Sequence, residues 1–355
     1  MLDPRTWAAA DLPPGHPPLL VVVVDTEEEF DWGRPLAREN TGVTAMRHQE
    51  RAHRIFDRYG VTPTYVIDYP VASQVDGFRP LAELLADGKC RIGAHLHPWV
   101  NPPYEEDVTP ANSYPGNLPP GLEREKLVRL TGTIEDNLGL TPTIYKAGRY
   151  GVGPETTRIL QDLGYRIDTS IVPETDFGAD GGPDFRGIGA RPYWFGSGRR
   201  LLEIPLTAGL AGLLGDRGRP LYEAISSGAG ERFRLPGLFA RLRLVERIRL
   251  TPEGVTYAEQ RRLTEALLRT GHRVFCLAYH SPSLAPGQTP YVRNDGDLGA
   301  FLDRLDRYFE YFIAGLGGRP ATPDEVETLV GPPPDTKAPQ FDGLCNLKVI
   351  PSQSV

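Results

Sequence analysis

The stretch Leu19-Leu20-Val21-Val22-Val23-Val24-Asp25-Thr26-Glu27-Glu28-Glu29-Phe30-Asp31-Trp32 runs from six apolar residues into five acidic ones within seven positions. Four consecutive valines favour extended backbone and demand cover on both faces, as in a strand inside a parallel sheet. Side chains alternate across a strand, so Asp25 and Glu27 point the same way. One carboxylate of that pair suits a metal ion and the other a base. The plainer alternative is a solvated acidic loop after a core strand.

Six further runs of β-branched, aromatic or small apolar residues read as strands: 64–68, 91–96, 143–146, 166–169, 201–205 and 274–279, besides 19–25. Helical patterns lie between several of them. Residues 45–59 carry Ala52, Ile55, Phe56 and Tyr59 on one face and stop at Gly60. Pro154 and Gly164 bracket another helix. Thr256-x-x-Glu259 and Thr322-Pro323-x-Glu325 are capping boxes. This alternation predicts an α/β architecture with a parallel sheet, either open and doubly wound or closed into a barrel. Three long segments break the alternation, at 101–121, 172–199 and 281–296. Each follows a strand and so belongs on the carboxyl-end face, where α/β folds build their sites. The expected organisation is a lead-in over 1–18, one catalytic unit over 19–330 and a tail over 331–355.

Composition narrows the possibilities. Gly and Pro number 39 and 35 of 355 residues, well above the usual share of roughly 12%, so loops are abundant. With 40% hydrophobic and 24% charged residues, wholesale disorder is excluded. A net charge of −7 has the wrong sign for tracking phosphate backbones, so no nucleic-acid partner is expected. Cys90, Cys276 and Cys345 are odd in number and widely spaced, which suggests free thiols rather than a disulfide framework. The apolar run 19–24 is far too short to span a bilayer, and the start of the chain lacks the pattern of a secretory signal. No membrane insertion and a cytoplasmic location are expected; the oligomeric state is left open.

Three more clusters carry chemistry. Gly93-Ala94-His95-Leu96-His97-Pro98-Trp99 sets two histidines on one side of an extended segment, where both imidazoles can reach one ion. Tyr145-Lys146-Ala147-Gly148-Arg149-Tyr150-Gly151 is a strand meeting a glycine-bracketed turn with two cations, suited to a carboxylate or a developing oxyanion. Phe275-Cys276-Leu277-Ala278-Tyr279-His280-Ser281-Pro282 ends a strand on a lone histidine. Trp99, Tyr104 and Tyr291 lie on the long loops, as a stacking floor for a sugar ring or as loop anchors.

In order and spacing these four clusters resemble the polysaccharide deacetylase family, metal-dependent carbohydrate esterases that remove N-acetyl groups from aminosugars. The resemblance covers about residues 19–291. It implies a distorted, incomplete (β/α) barrel and one divalent metal ion, zinc by preference. It makes Asp25 the base, Glu27 the metal carboxylate, His95 and His97 the imidazole ligands, and His280 the acid that assists the leaving amine. The Tyr150 backbone N–H would receive the oxyanion. Three features depart from the family pattern. The acidic motif is Asp-x-Glu rather than adjacent aspartates, which leaves Glu27 or Glu28 as the carboxylate. The histidines are two apart rather than four. The usual Arg segment is replaced by 146–151, which leaves Lys146 or Arg149 to orient the base. The implied substrate is a carbohydrate or another N-acylated small molecule. Two other readings use the same residues: an iron oxygenase with a two-histidine, one-carboxylate site, and a non-catalytic carbohydrate-binding protein on this scaffold.

Overall fold

The computed structural model describes residues 6–226, 230 and 232–333. Its strands are β1 (Ala8–Ala9), β2 (Leu19–Thr26), β3 (Thr64–Ile67), β4 (Arg91–Leu96), β5 (Ile144–Ala147), β6 (Ile167–Asp168), β7 (Tyr193–Phe195), β8 (Leu201–Glu203), β9 (Ala208–Ala211), β10 (Glu246–Arg249), β11 (Val274–His280) and β12 (Arg319–Pro320). Seven of these run parallel in the order β11-β2-β3-β4-β5-β6-β8. Every residue of β2 is buried, as its valine run requires.

The two ends of this row, β8 and β11, do not form a ladder. Single hydrogen bonds span the gap instead. Past the end of β8 the Leu206 N–H still donates to the Ile171 carbonyl on the β6 side at 2.9 Å, while the Thr207 N–H donates across the gap to the Cys276 carbonyl at 3.0 Å. The Cys276 N–H returns to Thr207 Oγ1 at 2.8 Å, and the Leu250 N–H reaches the Thr207 carbonyl at 2.8 Å. The sheet is therefore a distorted, incomplete (β/α) barrel. Its inner and outer faces share one continuous apolar core with the surrounding helices.

Helices occupy Glu50–Tyr59, Val75–Ala86, Pro120–Leu138, Thr156–Asp162, Tyr257–Arg269, Asp295–Phe309 and Pro323–Val330, among others. Both capping boxes form, with each Thr side chain accepting from the backbone N–H of its Glu and each Glu returning to the Thr N–H. Gly60 ends its helix at φ 65°, a left-handed position that suits glycine.

Several expectations are corrected. The single helix expected over 45–59 is a 3₁₀ turn, Thr44–His48, followed by Glu50–Tyr59. Pro154 lies in the turn before Glu155, the N-cap of Thr156–Asp162. The lead-in is tied to the sheet, because β1 pairs antiparallel with β7 and Trp7 stacks on Tyr193 at 3.8 Å. The hairpin of β9 and β10 falls in a stretch where no strand was expected: β9 is Ala-Gly-Leu-Ala, and the arginines of β10 interrupt any apolar run. Most of the expected tail, 334–355, and with it Cys345, lies outside the described residues. Among the described residues no helix is long and apolar enough to cross a membrane.

Candidate functional site

A cleft of about 430 Å³ opens at the carboxyl ends of the parallel strands. All three long segments reach it: Pro110 and Tyr114 from the first, Phe177 and Asp180 from the second, Tyr291 from the third. Its floor is built by the residues that end β2, β4, β5 and β11.

The acidic run is not a solvated loop. Asp25, Glu27 and Glu28 are all buried, with at most 4% of their surface exposed, and each has a different surrounding. Glu27 Oε2 faces His97 Nε2 at 3.5 Å and His95 Nε2 at 3.8 Å. Glu28 turns away: its carboxylate accepts from the indole N–H of Trp99 at 2.7 Å and meets His97 Nδ1 at 2.7 Å, while its backbone N–H donates to Asp68 at 2.7 Å. Glu29 caps the turn at Thr44, accepting from the Thr44 hydroxyl at 2.8 Å and from the Ala45 N–H.

The two imidazoles are oriented from behind. His95 Nδ1 contacts the Lys146 carbonyl at 2.9 Å, which fixes that nitrogen as the donor and leaves Nε2 as a lone-pair acceptor. The Glu28 carboxylate does the same for His97. Such backing is typical of metal-binding histidines. Gly148 makes room for this, since a Cβ there would stand 2.5 Å from His97 Cδ2 and 2.3 Å from the Leu96 carbonyl.

The residues present fit a divalent cation. Glu27, His95 and His97 converge three ligand atoms within 4.8 Å of one another, and metal–ligand distances of about 2.0–2.1 Å in tetrahedral geometry place ligand atoms at similar mutual separations. Glu27 Oε1 is buried and lacks a hydrogen-bond partner. Burial raises the Glu27 carboxyl to about 7, against the pull of His280 and His95. Burial lowers His97 to about 4 and also lowers His95, so both rings are neutral at pH 7, the form that ligates. A second group of three, Glu28, Asp68 and His97, is already bonded internally, and its His97 nitrogen is the one Glu28 holds.

Two ion pairs flank this cluster. Lys146 Nζ lies 2.5 and 2.8 Å from the two oxygens of Asp25, and both side chains are buried. Burial would raise the Asp25 carboxyl, but Lys146, with His95 and His280, outweighs it and holds the group below its ordinary value. On the other side His280 Nδ1 meets Glu253 at 2.8 Å and His280 Nε2 faces Asp25 Oδ2 at 3.8 Å. Burial opposes a charge on His280, yet Glu253 and Glu27 drive its pKa well above the ordinary histidine value. Its environment therefore favours the protonated form.

The other candidates fall elsewhere. Arg149 does not touch Asp25: it lies on the cleft wall with φ 51°, donating to Ser113 at 2.5 Å and to Asp180 at 3.0 Å. Tyr150, also left-handed at φ 62°, lines the cleft beneath it. Trp99 lines the cleft, but it is 2% exposed, stacks on His97 at 4.3 Å and donates its indole N–H to Glu28, so most of its ring is spent bracing those two residues. Tyr104 is absent from the cleft, and its ring lies between Arg38 and Lys126. Tyr291 does line the cleft, and Trp32 packs edge-on against it at 5.7 Å and against His280 at 5.0 Å. Beside His280 the aromatic wall is formed by Phe30, Trp32 and Tyr291, with Tyr114, Tyr150 and Phe177 also lining the cleft. Sequence reasoning missed Glu253, Trp32 and Asp68. Trp32 alone carried a local signal, as an aromatic closing the acidic motif.

Together these features define a class: a distorted (β/α) barrel with a buried cluster of two histidines and one carboxylate, flanked by an Asp–Lys and a His–Glu pair. No family model and no curated protein matches the sequence. Among solved structures the chain is similar to a protein assigned as a polysaccharide deacetylase from Mycobacterium smegmatis, at 16% identity over 92% of this chain and 99% of that one, with a TM-score of 0.47. It is also similar to the peptidoglycan deacetylase PdaC from Bacillus subtilis, at 9% identity over 88% and 91%, TM-score 0.41. A pseudoenzyme of the CE4 family from Bacillus anthracis matches at 10% identity over 89% and 67%, TM-score 0.42.

Proposed function

We propose that the protein is a divalent-metal-dependent hydrolase that removes an acyl group, foremost acetyl, from the amide nitrogen of an N-acylated sugar. The observation that carries this reading is the convergence, in one cleft, of an ion-binding triad with a braced carboxylate and a braced, charged imidazole on either side. Glu27, His95 and His97 would hold the ion. What a zinc ion supplies at such a site is Lewis acidity, which lowers the pKa of bound water and polarises the acyl carbonyl.

The chain's own residues do the proton work. Asp25 stays ionised because Lys146 neutralises it at contact distance, and it accepts the proton of the attacking water. His280, charged through Glu253, holds a proton at Nε2 facing the cleft and delivers it to the departing amine, which is a poor leaving group without one. Tyr150 offers its backbone N–H to the oxyanion. Phe30, Trp32 and Tyr291 present apolar ring surface to a sugar. The helices between the parallel strands argue against the β-rich barrel expected of an iron oxygenase, and a binding protein needs neither base nor acid, so the hydrolase is the reading retained. The buried thiols of Cys90 and Cys276 suit the cytoplasmic setting that goes with it.

The reading is tested by acetate release from N-acetylated sugars before and after loading with zinc, manganese or cobalt. Acetate formed only by loaded protein is expected; a loaded protein inert on sugar and non-sugar acetamides alike overturns the reading.

The pH profile gives a sharper check on His280. An acid must be protonated to act, so activity falls as pH rises through its pKa, and Glu253 places that limb well above 6.5. Glu253→Gln should move the alkaline limb down by about one unit or more, while activity near pH 6 changes least. Linkage has the same sign: a raised folded pKa adds stability below about 6.5 that is lost as pH climbs through the folded value. An unmoved limb would detach Glu253 from the acid.

A further inference from the structure

Resting on the hydrolase reading, we propose that Arg249 selects an N-acylated sugar that also carries an anionic group, a carboxylate or a phosphate. Arg249 ends β10 and lines the cleft together with Asp25, Tyr150 and His280. The other charges around the cleft are matched. Asp25 pairs with Lys146, His280 with Glu253, Arg149 with Asp180 at 3.0 Å and Arg34 with Asp31 at 3.2 Å. Glu27 belongs to the two histidines.

Arg249 is the exception. Among the described residues its half-buried guanidinium has neither a carboxylate within ion-pair distance nor a hydrogen-bond acceptor. Arg247, two residues earlier on the same strand, is by contrast used structurally, donating to the Pro173 carbonyl and to Thr175. A half-buried guanidinium loses part of its hydration, which ligand oxygens replace, and its planar fork of donors fits the paired oxygens of a carboxylate or phosphate. The aromatic wall takes the ring, the triad and its flanking pairs take the amide, and Arg249 takes the anion. In a chain of net charge −7, an unmatched cation beside the reacting groups favours anionic over neutral sugars locally.

The test compares kcat/KM for N-acetylglucosamine, its 6-phosphate and N-acetylmuramic acid in the zinc-loaded wild type, Arg249→Lys and Arg249→Gln. Wild type should prefer at least one anionic sugar by about ten- to a hundredfold. The preference should collapse toward unity in Arg249→Gln and survive in part in Arg249→Lys. A phosphate-only or carboxylate-only preference identifies the anion. Calorimetric binding of the same anionic sugars to metal-free protein supplies a readout without turnover and should weaken by a similar factor in Arg249→Gln. No preference in wild type, or a preference that Arg249→Gln leaves intact, overturns the inference while leaving deacetylation standing. Binding that depends on Arg249 with no acetate from any sugar would keep the anion site and overturn the hydrolase reading.

Discussion

Asp25→Asn is expected to keep its metal ion and to lose about two to four orders of magnitude in kcat, the range associated with removing a general base. The substitution is nearly isosteric and leaves one carbonyl oxygen to accept from Lys146, which now contacts both carboxylate oxygens at 2.5 and 2.8 Å. Glu27 and the two histidines, not Asp25, form the convergent group of ligand atoms, so metal content should stay at the wild-type level. Metal analysis and single-turnover kinetics on the same preparation check both halves. Loss of the ion in step with activity would make Asp25 a ligand; a near-normal rate would remove it from the mechanism.

His280→Ala should separate substrates by their leaving groups. An amine departs only when protonated, whereas an activated phenyl ester barely needs a proton. Hydrolysis of an acetamido sugar is therefore expected to fall by about two to four orders of magnitude, and that of 4-nitrophenyl acetate far less. A parallel fall for both would make His280 a positioning residue for substrate or ion. No fall for either would return it to a structural role at the end of β11, held by Glu253.

The α/β class was legible because the longest parallel strands, Leu19–Thr26 and Val274–His280, are buried and read as apolar runs with the candidate site residues at their ends; closure into a barrel was carried by the family resemblance, because open and closed parallel sheets share one strand pattern. Period-two alternation also separates the choices left open between neighbours. Glu27 shares the side of Asp25 and meets the histidines, whereas Glu28 meets Asp68 and the far nitrogen of His97. Lys146 is the register partner of His95 inside the sheet, while Arg149 lies beyond Gly148 in a left-handed turn and reaches the wall. What was not legible depends on tertiary contact. Glu253 reaches His280 from 27 positions upstream, from the turn after β10 and across the helix Tyr257–Arg269. Trp99 and Tyr104 carry the same local signal as Tyr291, and only the tertiary packing separates Trp99, a buried brace on the cleft wall, and Tyr104, an outer loop anchor, from the more open Tyr291.

The most direct measurement is the divalent metal content per chain, by elemental analysis after zinc loading and desalting, of wild type beside the folded His95→Ala, His97→Ala double variant. One ion per wild-type chain and none in the double variant is the predicted result. A wild type without a stoichiometric ion, or a double variant that keeps it, would contradict the metal site on which the proposed chemistry stands.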